Sequence, residues 1–395
     1  MAEAAEATGA SFRSIALLSA ASFGSAATLR VADPLLPQVA AEFAVSVGDA
    51  SIIVTTFAFA YGACQVLYGA LGDRAGKYRV VALMTLLSGA SAAATGLASS
   101  LAALALLRLL SGATAAAIIP LAMAHIGDVV PYEERQPVLA RFLSGQILGV
   151  IFGQVFGGIF GDTVGWRGVF FILGALFVVV ALLLWRELAA ERIEEKRAAP
   201  VDARNLATRI FAMLAVPRVR IVVGTVFVEG FLFFGGFAFF GAYLRHAFGI
   251  GYVAVGLLLA AFGLGGLAYA LAVGQLVARL KQRGMVPLGG ALVALSFAGA
   301  AAAPNAMATI PAIFAAGLGF YMLHNTLQTA ATQMLPEARG LALAVFASSL
   351  FLGQAAGVAL CGALVDRLGY APVFVATGVL LLALALHFRS ALARL

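Results

Sequence analysis

The sequence predicts an all-α membrane protein: twelve transmembrane helices in two pseudo-symmetric six-helix halves, with N- and C-termini cytoplasmic. Three observations lead there. Of the 395 residues, 63% are hydrophobic and only 11% charged, at a mean hydropathy of +1.02. An ordinary soluble domain carries roughly 25% charged residues. Apolar runs recur at lengths near the ~20 residues that a spanning helix needs, whereas barrel strands would be half as long and alternating. Lastly, all but five of the 25 Lys and Arg residues lie in the N-terminal segment, alternate loops and the C-terminus. Arg167, Arg245 and Arg367 fall on the opposite side, and Arg30 and Arg108 lie inside runs. Basic residues mark the cytoplasmic side, which fixes the expected orientation. This composition excludes a soluble enzyme, a disordered chain and a disulfide scaffold. The net charge of +7 does not make a nucleic-acid binder, because the charges sit between runs and not along one face.

The runs are taken in order. The first, 14–37, contains Arg30 and Asp33 just before Pro34 and Pro37, toward its outer end. The segment before it, Met1 to Arg13, has no signal-peptide layout, so this run is read as a retained helix. Runs 50–71 and 79–98 flank the short basic turn GALGDRAGKYR, Gly69 to Arg79. There Gly69 allows close helix approach, Gly76 a tight turn, and Asp73 accepts hydrogen bonds at a helix end. Run 101–125 contains Arg108. Run 137–161 reads GQILGVIFGQVFGGIFG, in which Gly149, Gly153 and Gly157 recur every four residues as one small packing face. Run 167–186 follows Trp166 and begins at Arg167. Run 221–244 is aromatic, with Phe227, Phe231, Phe234, Phe237, Phe240 and Tyr243 around a lone Glu229. Runs 252–275 and 285–303 flank GQLVARLKQRG, a weaker echo of the earlier turn without its Asp. Run 308–333 places Tyr321, His324, Asn325 and Gln328 on one face. Runs 340–364 and 371–388 complete the twelve. Cys64 and Cys361 both lie inside runs, so no disulfide framework is expected.

The longest polar stretch, 187–220, divides the chain into an N-terminal half (1–186), a cytoplasmic central loop and a C-terminal half (221–395). The first part of this loop reads either as a helix on the membrane surface or as a solvated charged loop. An internal repeat supports the division. At an offset of 204 residues Gly149 falls on Gly353, Gly153 on Gly357, Gly158 on Gly362, Asp162 on Asp366 and Phe170 on Phe374. Two repeated six-helix halves around a central loop form a transporter architecture.

At this point the residues resemble the major facilitator superfamily. GALGDRAGKYR is similar to its signature loop, a Gly, an Asp-Arg pair, then Gly and basic residues. The resemblance implies that Gly69, Asp73, Arg74, Gly76, Lys77 and Arg79 form a conformational switch that latches the halves in the outward-facing state. Arg108, followed by Leu109, Leu110, Ser111 and Gly112, resembles a helix-4 motif that relatives associate with proton transfer. Its alternative is a hydrogen-bonded tie from helix 4 to helix 1. Gly149, Gly153, Gly157 and Gly158 resemble the glycine-rich helix-5 motif of twelve-helix drug:proton antiporters. There a Pro usually follows the second glycine; here Gln154 stands in its place. Trp166-Arg167 is also typical of that group.

Intramembrane ionisable groups are functional candidates. Asp33, Glu229 and His324 are rival proton-coupling sites, and Arg30 with Asp33 reads equally as a neutralised structural pair. Arg30, Arg108, Phe231, Phe234, Tyr321, His324, Asn325 and Gln328 are expected to line a central substrate cavity, with lipid contact as the blander reading of any one aromatic. The expected function is proton-coupled export of a small apolar or amphipathic compound by alternating access, in a bacterial cytoplasmic membrane. The alternatives are a proton symporter and an organic-anion transporter, the latter using Arg30 to hold a carboxylate. Expected partners are substrate, protons and lipid; a monomer driven by the proton gradient, with no cofactor and no metal, is the expected form. An enzyme is disfavoured, since the sequence has no His-Glu-x-x-His and no Gly-x-Ser-x-Gly.

Overall fold

The computed structural model describes residues 12–190 and 203–392, with no strand among them. Among the described residues, eleven helices are long and apolar enough to cross a membrane. They are α1 (Arg13–Phe43), α2 (Val47–Ala75), α3 (Lys77–Gly96), α4 (Leu101–Val129), α5 (Pro137–Thr163), α6 (Gly165–Ala190), α7 (Pro217–Phe248), α8 (Tyr252–Ala301), α9 (Met307–Gln333), α10 (Pro336–Leu368) and α11 (Tyr370–Ala391). The eighth and ninth apolar runs share α8, whose 50 residues would extend about 75 Å as one straight helix, far beyond a ~30 Å hydrocarbon core. It breaks at Lys281, where φ is 53° and ψ is 175°.

Local chemistry sets the ends and bends. Pro34 and Pro37 lack an N–H and crowd the preceding turn, so α1 tightens into a 3-10 turn at Asp33–Leu35 before Leu36–Phe43 resumes the helix. The continuation to Phe43 moves Arg30 and Asp33 from the expected outer end to the middle of the span. The Ser46 and Ser100 hydroxyls accept the N–H groups of Asp49 and Ala103 and cap the starts of α2 and α4. Gly76 turns the chain between α2 and α3 at φ 94°, which residues with a Cβ avoid.

The polar stretch 187–220 is largely helical where it is described. Helix α6 runs on to Ala190, a short helix spans Ala203–Ala215, and α7 starts at Pro217. The buried Glu187 carboxylate accepts the Ser14 hydroxyl and lies 3.6 Å from Arg13 Nε, which ties α6 to α1. Residues 191–202, where the surface-helix expectation falls, lie outside the described residues.

Packing follows the 204-residue offset. On α5, Cβ atoms at Gly149, Gly153 and Gly157 would meet Phe23, Ala27 and Val31 of α1. On α10, Cβ atoms at Gly353 and Gly357 would meet Phe227 and Phe231 of α7. The small faces read from sequence therefore have defined partners. The C-terminal half is packed with rings: Phe233 and Phe320 lie 4.5 Å apart, Phe237 and Phe262 4.7 Å, and Phe240 and Phe374 4.6 Å. Phe237 and Phe240 belong to this interior, not to a cavity wall.

Candidate functional site

The site is built from buried charges contributed by both halves. On α1, Arg30 Nη1 and Asp33 Oδ2 stand 3.6 Å apart, with both side chains almost wholly buried. The three-residue spacing places them on one face, as the sequence indicated. Beyond that ion pair, neither Asp33 oxygen accepts a hydrogen bond among the described residues. Arg30 also crosses to the other half, its guanidinium lying 4.0 Å from the centre of the Phe234 ring of α7. Ring faces attract cations, and the attraction grows when water is excluded.

Arg108 is fully buried on α4. Its Nε donates to the Ile53 carbonyl at 3.2 Å and its Nη2 to the Thr28 carbonyl at 3.3 Å. Its guanidinium covers Phe57 at 4.2 Å. It thus ties α4 to both α2 and α1, and Nη1 has no protein acceptor among the described residues.

In the other half, Glu229 of α7 and His324 of α9 form one pair. Glu229 Oε2 and His324 Nδ1 are 2.8 Å apart, and the Glu229 side chain is completely buried. The sequence offered these two as rivals; the fold joins them. His324 stacks on Phe320 at 5.1 Å and meets Phe346 at 5.5 Å. Phe320 contacts Phe234 at 5.0 Å. Unbroken contacts therefore run from Asp33 through Arg30, Phe234, Phe320 and His324 to Glu229.

Of the remaining expected residues, Tyr321 stays with the centre, near enough to Arg30 to feel its charge and packed on Phe320 at 5.4 Å. It also stacks with Tyr269 at 6.4 Å, and Asn325 is half-buried beside Tyr269, but Gln328 is exposed at the end of the stripe. Phe231 lines a shallow groove with Leu384 and His387 between α7 and α11, away from Arg30. Of the six α7 aromatics singled out in the sequence, Phe234 is the one whose ring lies against Arg30. Two buried amides join the picture, of which the sequence reading named Gln154 for its place in a motif and missed Gln354. Gln154 on α5 and Gln354 on α10 are fully buried, and neither amide group has a protein partner among the described residues. Gln154 stood out only as a departure from a motif. The signal for Gln354 was the shared Gly-Gln step, Gly153-Gln154 and Gly353-Gln354.

The switch loop is organised within one half. Lys77 Nζ lies 2.5 Å from Asp128 and 3.4 Å from Asp73, both of the N-terminal half. Arg74 and Arg79 are exposed. The expected close approach at Gly69 is not made in this conformation, since a Cβ there would meet nothing within 4 Å. Trp166 and Arg167 have a local task. Trp166 Nε1 donates to Glu42 at 2.5 Å, while Arg167 bonds Glu42 at 2.6 Å and the Gly96 and Ala98 carbonyls. They staple the start of α6 to the ends of α1 and α3.

Chemically, a buried carboxylate and an imidazole at hydrogen-bond distance can share a proton, and a second carboxylate lies beside two guanidinium groups. Burial makes every charge change costly unless a partner accompanies it. Among the described residues no cluster of His, Cys, Asp and Glu is arranged to hold a metal ion.

Comparison with known proteins gives a consistent picture. The sequence pattern of the Major Facilitator Superfamily matches residues 18–357. A putative uncharacterized transporter of Escherichia coli strain K12, YgaY, is 28% identical over 183 residues, 46% of this chain and 45% of that protein. The chain thus spans about half the length of that curated relative. An uncharacterized MFS-type transporter of Bacillus subtilis strain 168, YwfA, is 26% identical over 346 residues, 87% of this chain and 83% of that one. Among solved structures, the nucleoside transporter NupG superposes with a TM-score of 0.79 at 13% identity, over 95% of this chain and 99% of that chain.

Proposed function

The chain belongs to the major facilitator superfamily, and from that premise we propose that it is a proton-coupled secondary transporter working by alternating access. In this reading α8 crosses the membrane twice, giving twelve spans with both termini cytoplasmic in a bacterial inner membrane. The transporter works as a monomer, takes its energy from the proton gradient and needs no cofactor. The observation that carries the proposal is the Glu229–His324 pair, linked by ring contacts to Arg30 and Asp33 in the opposite half. A proton on this pair changes the charge of the buried centre, and a substrate at Arg30 and Asp33 changes it too. Loading of one therefore alters the cost of loading the other.

The exported compound in this reading is small and amphipathic. Phe234 supplies an apolar wall, while Asp33, Gln154 and Gln354 supply unfilled hydrogen-bonding capacity. The resemblance of α5 to drug:proton antiporters supports the export direction. One observation favours a second reading, a small organic anion moved together with a proton. Two guanidinium groups, Arg30 and Arg108, share the buried region with Asp33, and each has a nitrogen without a hydrogen-bond acceptor among the described residues.

The test uses inverted membrane vesicles with an acid interior, challenged with lipophilic cations and organic anions. Collapse of the proton gradient that requires the protein, and is lost in Glu229→Gln, supports proton-coupled export. Proton-linked uptake in intact cells, with no collapse in vesicles, supports the symport reading. Full coupling in Glu229→Gln removes the pair from the mechanism.

A further inference from the structure

Two exposed carboxylates outside the buried centre join the halves at the face carrying residues 44–46 and 249–251, the outer face in the orientation proposed above. Asp162 ends α5, and its Oδ2 accepts the Val253 N–H of α8 at 2.8 Å. Asp366 lies at the end of α10, where Oδ1 accepts the Gly48 N–H at 3.1 Å and Oδ2 the Ser46 hydroxyl at 2.6 Å. In the first case the N-terminal half supplies the acceptor; in the second it supplies the donors. The two aspartates stand at the 204-residue offset, so each is the counterpart of the other.

Beneath each carboxylate the backbones touch. A Cβ at Gly158 would lie 2.9 Å from Gly256 Cα, and one at Gly362 would lie 3.1 Å from Gly48 Cα. At the opposite face, Cβ atoms at Gly69 and Gly340, near the other ends of α2 and α10, and at Gly274, just before the break in α8, would each meet nothing within 4 Å, so none of these three makes a close approach between the halves. The outer face is closed along two matched seams, while its turn glycines Gly165, Gly249 and Gly369 also lie free.

We infer that Asp162 and Asp366 are a matched pair of latches that hold the outer face shut and set how often it opens. The inference rests on the alternating-access reading, because bonds between halves that rock apart must break in every cycle. A carboxylate on exposed backbone N–H groups at a helix start biases an equilibrium about two- to fivefold. Both latches must part in the same movement, so their effects multiply to about tenfold. The inner face has no such matched pair in sequence: Asp73 pairs with Lys77 of its own half, and the echo at 274–279 lacks an Asp.

The experiment uses the full chain in nanodiscs, with Cys64 and Cys361 replaced by Ala. Spin labels go on Leu97→Cys and Met307→Cys, exposed positions near the same face in opposite halves and clear of both seams. The unlatched protein is Asp162→Ala with Asp366→Ala; Asp162→Asn with Asp366→Asn keeps the shape and an acceptor oxygen in case the alanine protein folds poorly. The expected result is a longer-distance population that rises about two- to fivefold in each single variant and about tenfold in the double. An unchanged distribution in a folded double variant overturns the latch, and a shift carried wholly by one aspartate overturns the matched pair. Two populations in the parent that the substitutions leave unmoved would sink the latch alone. A single fixed distance in every protein would sink alternating access with it.

Discussion

Arg108 shows how a single buried side chain can be read from its hydrogen bonds. Its guanidinium reaches the Ile53 and Thr28 carbonyls on two different helices while lying over Phe57. Lysine keeps the charge but cannot present two N–H groups in that fork. Arg108→Lys is therefore expected to lower stability by about 2 kcal/mol, the worth of one charge-assisted hydrogen bond. Thermal unfolding in detergent measures this, and an unshifted transition would show that the tie carries no weight. The sequence left proton transfer and a helix tie equally open here, because a carbonyl partner leaves no mark in composition or spacing. Glu229 and His324 were open for the same reason. Each was legible as an intramembrane ionisable group, but their distance of 2.8 Å depends on how α7 and α9 meet.

Among the elements, α5 and the end of α2 make opposite use of glycine. A methyl at Gly153 would sit 2.5 Å from the Ala27 carbonyl oxygen and 2.9 Å from its Cα, backbone atoms that cannot swing aside. Gly153→Ala is expected to cost about 1–3 kcal/mol through forced separation of α5 from α1. At Gly69 there is open space, so Gly69→Leu is expected to leave unfolding within about 0.5 kcal/mol of the parent. Parallel melting curves of the two variants separate these cases, and equal shifts would contradict the packing described. Most elements were legible from sequence because a membrane span announces itself by length and hydropathy. The four-residue glycine spacing also gave the small face of α5 correctly. Sequence could not show which helix that face touches. Nor could it show that α1 continues beyond Pro37, since a proline predicts a break but not the resumption after it.

For the molecule as a whole, orientation is the first property to fix. With Cys64 and Cys361 replaced, Leu97→Cys is expected to react with a membrane-impermeant maleimide in intact cells. Gln282→Cys, exposed near the break in α8, is expected to react only in inverted vesicles. The reverse pattern would place both termini outside. The contact between Arg30 and Phe234 then acquires a wider meaning. The guanidinium is anchored in one half and the ring in the other, so no relative rotation of the halves leaves that contact unchanged. In the alternating-access reading proposed above, Asp33 travels with Arg30 on the same helix, while the ring beneath is replaced as the halves turn. In that reading the field at the carboxylate records which way the molecule faces, without any movement within α1 itself.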